Sequence, residues 1–151
     1  MPTLALNTAG LSADGSERAL TAALGAGFTH VDFHPGIERD GVARAIATAG
    51  LTKSKERLGK LFLTTKIAKP PIGSTPAEAA ERVRRQIDED FAVLGVDSVE
   101  MIMLRDSPDC DVMRAQWGAL DEAGSPSLAL ARANCSPALA SALPSPSLSP
   151  P

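Results

Sequence analysis

Residues 29–46 read THVDFHPGIERDGVARAI. The β-branched and aromatic run His30-Val31-Asp32-Phe33 has the composition of a buried strand. Pro35-Gly36 breaks it. From Asp40 to Gly50, Val42, Ile46 and Ala49 recur at helical spacing. The stretch is a strand, a short loop and a helix, with an acid, Asp32, where the strand stops.

Working outward, the same alternation repeats. "TLAL" from Thr3 is a short apolar strand, and Ser16 to Gly27 is a helix with Ala19, Leu20, Ala23 and Leu24 on one face. "LFLTTKI" from Leu61 is a β-rich strand. Thr75-Pro76-Ala77-Glu78 opens the next helix with a capping box and Pro at its first position; Val83, Ile87, Phe91 and Leu94 form its stripe, and it stops at Gly95. "SVEMIML" from Ser98 is a fourth strand. Cys110 to Gly124 is a fourth helix whose core face is Val112, Met113, Trp117 and Leu120, with Trp117 as an anchor. After Gly124 the only charged residue is Arg132, and Ser, Pro, Ala and Leu dominate. The expected division is therefore 1–124 for four βα units, 125–143 for a degraded fifth, and 144–151 for a disordered Ser/Pro-rich tail.

Apolar strands alternating with helices imply α/β architecture with a parallel sheet covered by helices. An open doubly wound sheet fits, and so does part of a (β/α)8 barrel, whose usual length is about 250 residues. No Gly-x-Gly-x-x-Gly follows a strand, so the dinucleotide fingerprint of the open fold is missing.

Composition excludes several classes. The 151 residues are 44% hydrophobic, 22% charged and only 3% aromatic, with no tyrosine and a net charge of −3. The densest basic spot, Arg82, Arg84 and Arg85, lies among Glu78, Glu81, Asp88 and Glu89, as on a solvated helix face, so no nucleic-acid partner is expected. No run reaches the roughly 18 apolar residues of a membrane span, and the N-terminus lacks a leader pattern. Cys110 and Cys135 have no metal-ligand spacing and imply no disulfide framework, so a reduced, cytoplasmic protein with no metal is expected.

The strand ends decide between the architectures. "GAGFTHVDFH" followed by "VARAI" resembles the aldo-keto reductase pattern "hiDtA" followed by a Tyr, an Asn-Glu pair and "VGxAI". "LFLTTKI" is similar to that family's "lFitTKlw", and "FAVLGVDSVEMIMLRDSP" to its "LkrLgldYvDLylIHwP". "LALNTAGL", "QWGALDEAG" and "ARANCSPALASAL" match further family segments, in order, from about Leu4 to Leu143. The resemblance implies a partial (β/α)8 barrel of four to five units. It also implies carbonyl reduction with NADPH as hydride donor, in which a Tyr supplies the proton, a Lys and an Asp tune that Tyr, and a His orients the carbonyl.

Carried onto this sequence, the resemblance places Asp32 and Lys66 at the family Asp and Lys. Arg105 stands at the His position. The Tyr position falls on Gly36 or Ile37, because the loop is one residue short, and neither donates a proton. Thr8 and Asn134 match residues at the nicotinamide; the family's contacts to the NADPH phosphates come from later strands. The expected function is NADP(H)-dependent reduction of a small carbonyl substrate, absent or very weak in this chain as in a pseudoenzyme. His34 is a substitute proton donor or a loop residue. The rival expectation is a non-catalytic half barrel, of truncated character, that assembles with itself or with a second half through open strand edges.

Overall fold

The computed structural model describes residues 2–52, 61–105, 107 and 109–123. The expected fifth unit, the terminal tail and Asn134 lie outside them.

Four βα units follow one another. They are β1 (Leu6–Asn7), α1 (Ala13–Gly25), β2 (His30–Asp32), α2 (Ile37–Thr48), β3 (Phe62–Lys66), α3 (Pro76–Leu94), β4 (Met101–Met103) and α4 (Cys110–Glu122). Three of the four helices begin where a local signal places them. Ser12 caps α1 by accepting from the Gly15 N–H. Thr75 and Glu78 complete the capping box of α3 with Pro76 at its first position, and Gly95 ends it in the left-handed conformation at φ 68°. The carboxylate of Asp109 caps α4 through the N–H groups of Asp111 and Val112.

All four strands are parallel and lie in the order β1-β2-β3-β4. Helices pack in the same sequence, α1 on α2, α2 on α3 and α3 on α4, so they form one layer on one face. A doubly wound sheet reverses its strand order at a switch point and carries helices on both faces. An unreversed order with one helix layer is the arrangement of a barrel wall, and the four units make a partial (β/α)8 barrel.

Register divides the strand residues between two faces. Leu6 pairs with Val31 and Val31 with Leu63, while Thr65 pairs with Ile102. Val31, Leu63 and Ile102 join Leu20, Val42, Ile46, Val83, Leu94 and Leu120 in the core between sheet and helices. The alternating residues, Asn7, His30, Asp32, Phe62, Thr64, Lys66, Met101 and Met103, belong to the other face, which lines the interior of a closed barrel.

Several expectations need correction. Helix α1 starts at Ala13 rather than Ser16, and α2 at Ile37 rather than Asp40. Its N-cap is Gly36 at φ 88°, which makes no side-chain cap bond. Trp117 is only partly buried and sits outside the core cluster; Gln116 and Ala119 take the buried positions beside it. Cys110 is disulfide-bonded, against the expectation of reduced thiols. No helix among the described residues is long and apolar enough to cross a membrane.

Candidate functional site at the strand ends

The carboxyl ends of β1, β2 and β3 bring three inward-facing polar residues together. Asn7 and Asp32 are register partners in a parallel pair, and Asn7 Nδ2 donates to Asp32 Oδ2 at 2.9 Å. Lys66 Nζ donates to the other oxygen, Oδ1, in an ion pair whose side chains are 15% and 17% exposed. Asp32 is thus clamped from both neighbouring strands. A half-buried pair of this kind keeps a fixed charge aimed at the mouth of the barrel wall, where barrel active sites sit.

The strand carrying Lys66 is itself held from behind. Gln86 on α3 donates through Nε2 to the Lys66 carbonyl at 2.9 Å, and its Oε1 accepts from the Ala68 N–H at 2.9 Å. Gln86 also donates to Asp90, and Asp90 accepts from Arg39 on α2 at 2.9 Å. Arg39 and Asp90 are buried. Burial raises the Asp90 carboxyl above its ordinary value in spite of the hydrogen bonds from Arg39 and Gln86, which lower it. Around Arg39, burial acts in the opposite sense to Asp90, Glu89 and Asp40, and the three acids prevail, strengthening its hold on the proton.

A second cluster lies beside the first. Glu38, in the first turn of α2, accepts from the Gly10 N–H at 2.8 Å, the His34 N–H at 3.1 Å and, at 3.4 Å, Thr8 Oγ1. Its Oε2 also meets His34 Nδ1 at 3.0 Å. Burial alone raises the Glu38 carboxyl, but the hydrogen bonds from Gly10 and His34 outweigh it and hold the group below the usual carboxylate value. The Thr8 N–H donates to the Asp32 carbonyl at 3.1 Å, which ties the two clusters.

The expected site residues fare differently. Asp32 and Lys66 are joined directly. Thr8 is adjacent but fully buried, with its hydroxyl on Glu38. Arg105 is exposed past the end of β4 and makes no hydrogen bond to Asp32 or Lys66. Of the two Tyr-equivalent positions, Gly36 has φ 88° and Ile37 is 66% exposed. Asn7, Glu38 and Gln86 were not expected. Asn7 becomes visible only once the β1–β2 register is known, and Gln86 only once α3 is laid against β3. Glu38 carried a weak signal, an acid in a helix's first turn. No cluster of metal-ligating side chains occurs among the described residues.

The chain is similar to several aldo-keto reductases. No family model matches the chain. An aldo-keto reductase of Mycobacterium tuberculosis is 34% identical over 122 residues, covering 80% of this chain and 39% of the relative. One of Mycobacterium leprae is 33% identical with the same coverage. An aldo/keto reductase of Brucella melitensis superposes with a TM-score of 0.61 at 26% identity, over 81% of this chain and 46% of that structure. An aldo-keto reductase of Bombyx mori, solved in complex with NADP, gives 0.60 at 26% identity, over 82% and 43%. The chain spans about two fifths of the length of the curated relatives it matches. Its four βα units are related to the N-terminal part of the aldo-keto reductase family.

Proposed function

We propose that these units hold the Asp–Lys half of a carbonyl-reducing site that works with NADP(H), and that this chain turns over a small carbonyl substrate far more slowly than a complete barrel. The observation that carries the reading is the Asp32–Lys66 pair at the ends of β2 and β3, with a glycine and an exposed isoleucine where the family has its tyrosine. The donor set suits the reacting end of a reduced nicotinamide, since a fixed charge pair and a partly exposed imidazole stand at the strand ends. When bound, that group supplies hydride to a carbonyl carbon. Asp32 and Lys66 fix the electrostatics around the carbonyl oxygen. The family's contacts to the charged end of the cofactor belong to strands beyond the matched portion, so most of the ionic share of cofactor affinity lies elsewhere. Arg105 stands at the mouth as a permanent cation able to hydrogen-bond an oxyanion, and Thr8 supports the rim from beneath.

A complete barrel combines the phenol's general acid, worth about 10²- to 10⁴-fold, with ionic contacts to the cofactor. With the phenol absent and those contacts outside the matched portion, NADPH consumption with 4-nitrobenzaldehyde should run at least about 100-fold slower than in a complete family barrel assayed alongside, and Asp32→Asn should abolish what remains. Consumption at the complete barrel's rate would sink this reading. A second reading, a non-catalytic wall that associates through its edges, draws on β1 and β4 each being paired on one side only among the described residues.

A further inference from the structure

We propose that His34, oriented by Glu38, supplies the proton at this site in place of the tyrosine. The inference rests on the carbonyl-reducing reading and names the group that carries its residual turnover.

Geometry brings it forward. His34 follows Asp32 by two residues, about 7 Å along an extended chain, and the strand alternation returns it to the face that Asp32 occupies. The segment between them still pairs as a strand, since the Phe33 N–H donates to the Thr64 carbonyl at 3.0 Å. Glu38 then locks the ring. Its carboxylate is fixed by the N–H groups of Gly10 and His34, so it is a rigid acceptor, and it meets Nδ1 at 3.0 Å. An ionised carboxylate at Nδ1 requires that nitrogen to carry hydrogen, which leaves Nε2 as the atom turned to a substrate. Nε2 has no hydrogen-bond partner among the described residues, and the side chain is 28% exposed. Glu38 from α2 is in contact with the ring, and the charged groups at the neighbouring strand ends are Asp32 from β2 and Lys66 from β3.

The step balances simply. When bound, a reduced nicotinamide would supply the hydride for the new C–H bond, and the carbonyl π pair would move to oxygen. The imidazolium Nε2–H bond breaks to form the O–H of the alcohol, leaving a neutral ring that recovers its proton from water. His34 is then a catalytic residue, and Glu38 is a positioning residue that acts through it.

Two measurements test this together. Turnover of NADPH with 4-nitrobenzaldehyde is compared in wild type, His34→Gln, His34→Asn and Asp32→Asn. Asparagine keeps a donor for Glu38 but carries no titrating nitrogen, which guards against a folding defect. Both His34 variants should lose about 100-fold of the wild-type rate. Nitrogen-15 spectra of the imidazole, recorded without cofactor, should show the neutral ring protonated on Nδ1, and Glu38→Gln should erode that preference. A His34→Asn protein at wild-type rate, with Asp32→Asn inactive, overturns the His34 assignment and leaves the carbonyl-reducing reading standing. Wild type without measurable turnover also overturns the assignment, while the reading above, which sets only an upper limit, survives. A neutral ring protonated on Nε2 overturns it independently of any turnover.

Discussion

Asp32 accepts from both adjacent strands, Asn7 on one side and Lys66 on the other, so its carboxylate has little freedom to do anything but hold charge. That rigidity is shared by the buried residues behind it. Arg39 is bonded to Asp90 and Glu89 at 2.9 Å and to Asp40 at 3.0 Å. Removing one member of a buried pair leaves an uncompensated charge, at a cost of about 3 kcal/mol. Arg39→Met should lose that much at pH 7 by urea unfolding. Asp90 has a folded-state value raised above its unfolded one. Its contribution is therefore fully present below the unfolded value and is lost as pH rises through the folded value. The Arg39→Met deficit should accordingly shrink towards pH 4, where protonation removes the stranded charge. Equal losses at both pH values would contradict this account. At this scale the sequence revealed Asp32 and Lys66 through their motif but not Asn7 or Gln86, whose roles depend on a register and a helix placement that no local pattern encodes.

Among the elements, α1 and α2 pack so closely that a Cβ on Gly41 would lie 2.1 Å from the Ala13 carbonyl oxygen and 2.7 Å from Ser16 Cβ. Backbone stands in the way, so relief requires moving a helix. Gly41→Ala should cost at least about 2 kcal/mol by denaturant unfolding, although alanine is the better helix former by about 1 kcal/mol. A stabilised variant would show that the two helices separate freely. Helix existence and the capping of α3 were legible because Thr75, Pro76 and Glu78 act within one turn. The start of α2 was not, because Glu38 and Arg39 in its first turn are held by partners from the β1 loop and α3 rather than by a cap of their own.

Across the whole molecule, four parallel strands with helices on one face leave β1 and β4 each with an unpaired side among the described residues. Phe62, Met101 and Met103 on the inner face are only partly buried. If edge pairing operates, sedimentation of the purified chain should show species heavier than one copy at micromolar concentration. A single monomeric boundary across that range would remove the assembly reading and leave the slow-enzyme reading unaffected.

Hydrophobic alternation, helix caps and the strand-end motifs are properties of short stretches, so the sequence by itself determined the βα repeat and the barrel family, with Gly36 and Ile37 rather than a phenol in the loop after β2. Charge geometry is a property of register and packing. Only the tertiary structure decided that Asn7 and Lys66 converge on one carboxylate, that Thr8 turns away into the wall, and that His34 meets Glu38. Each depends on residues 4 to 34 positions apart being brought within hydrogen-bonding distance by the fold.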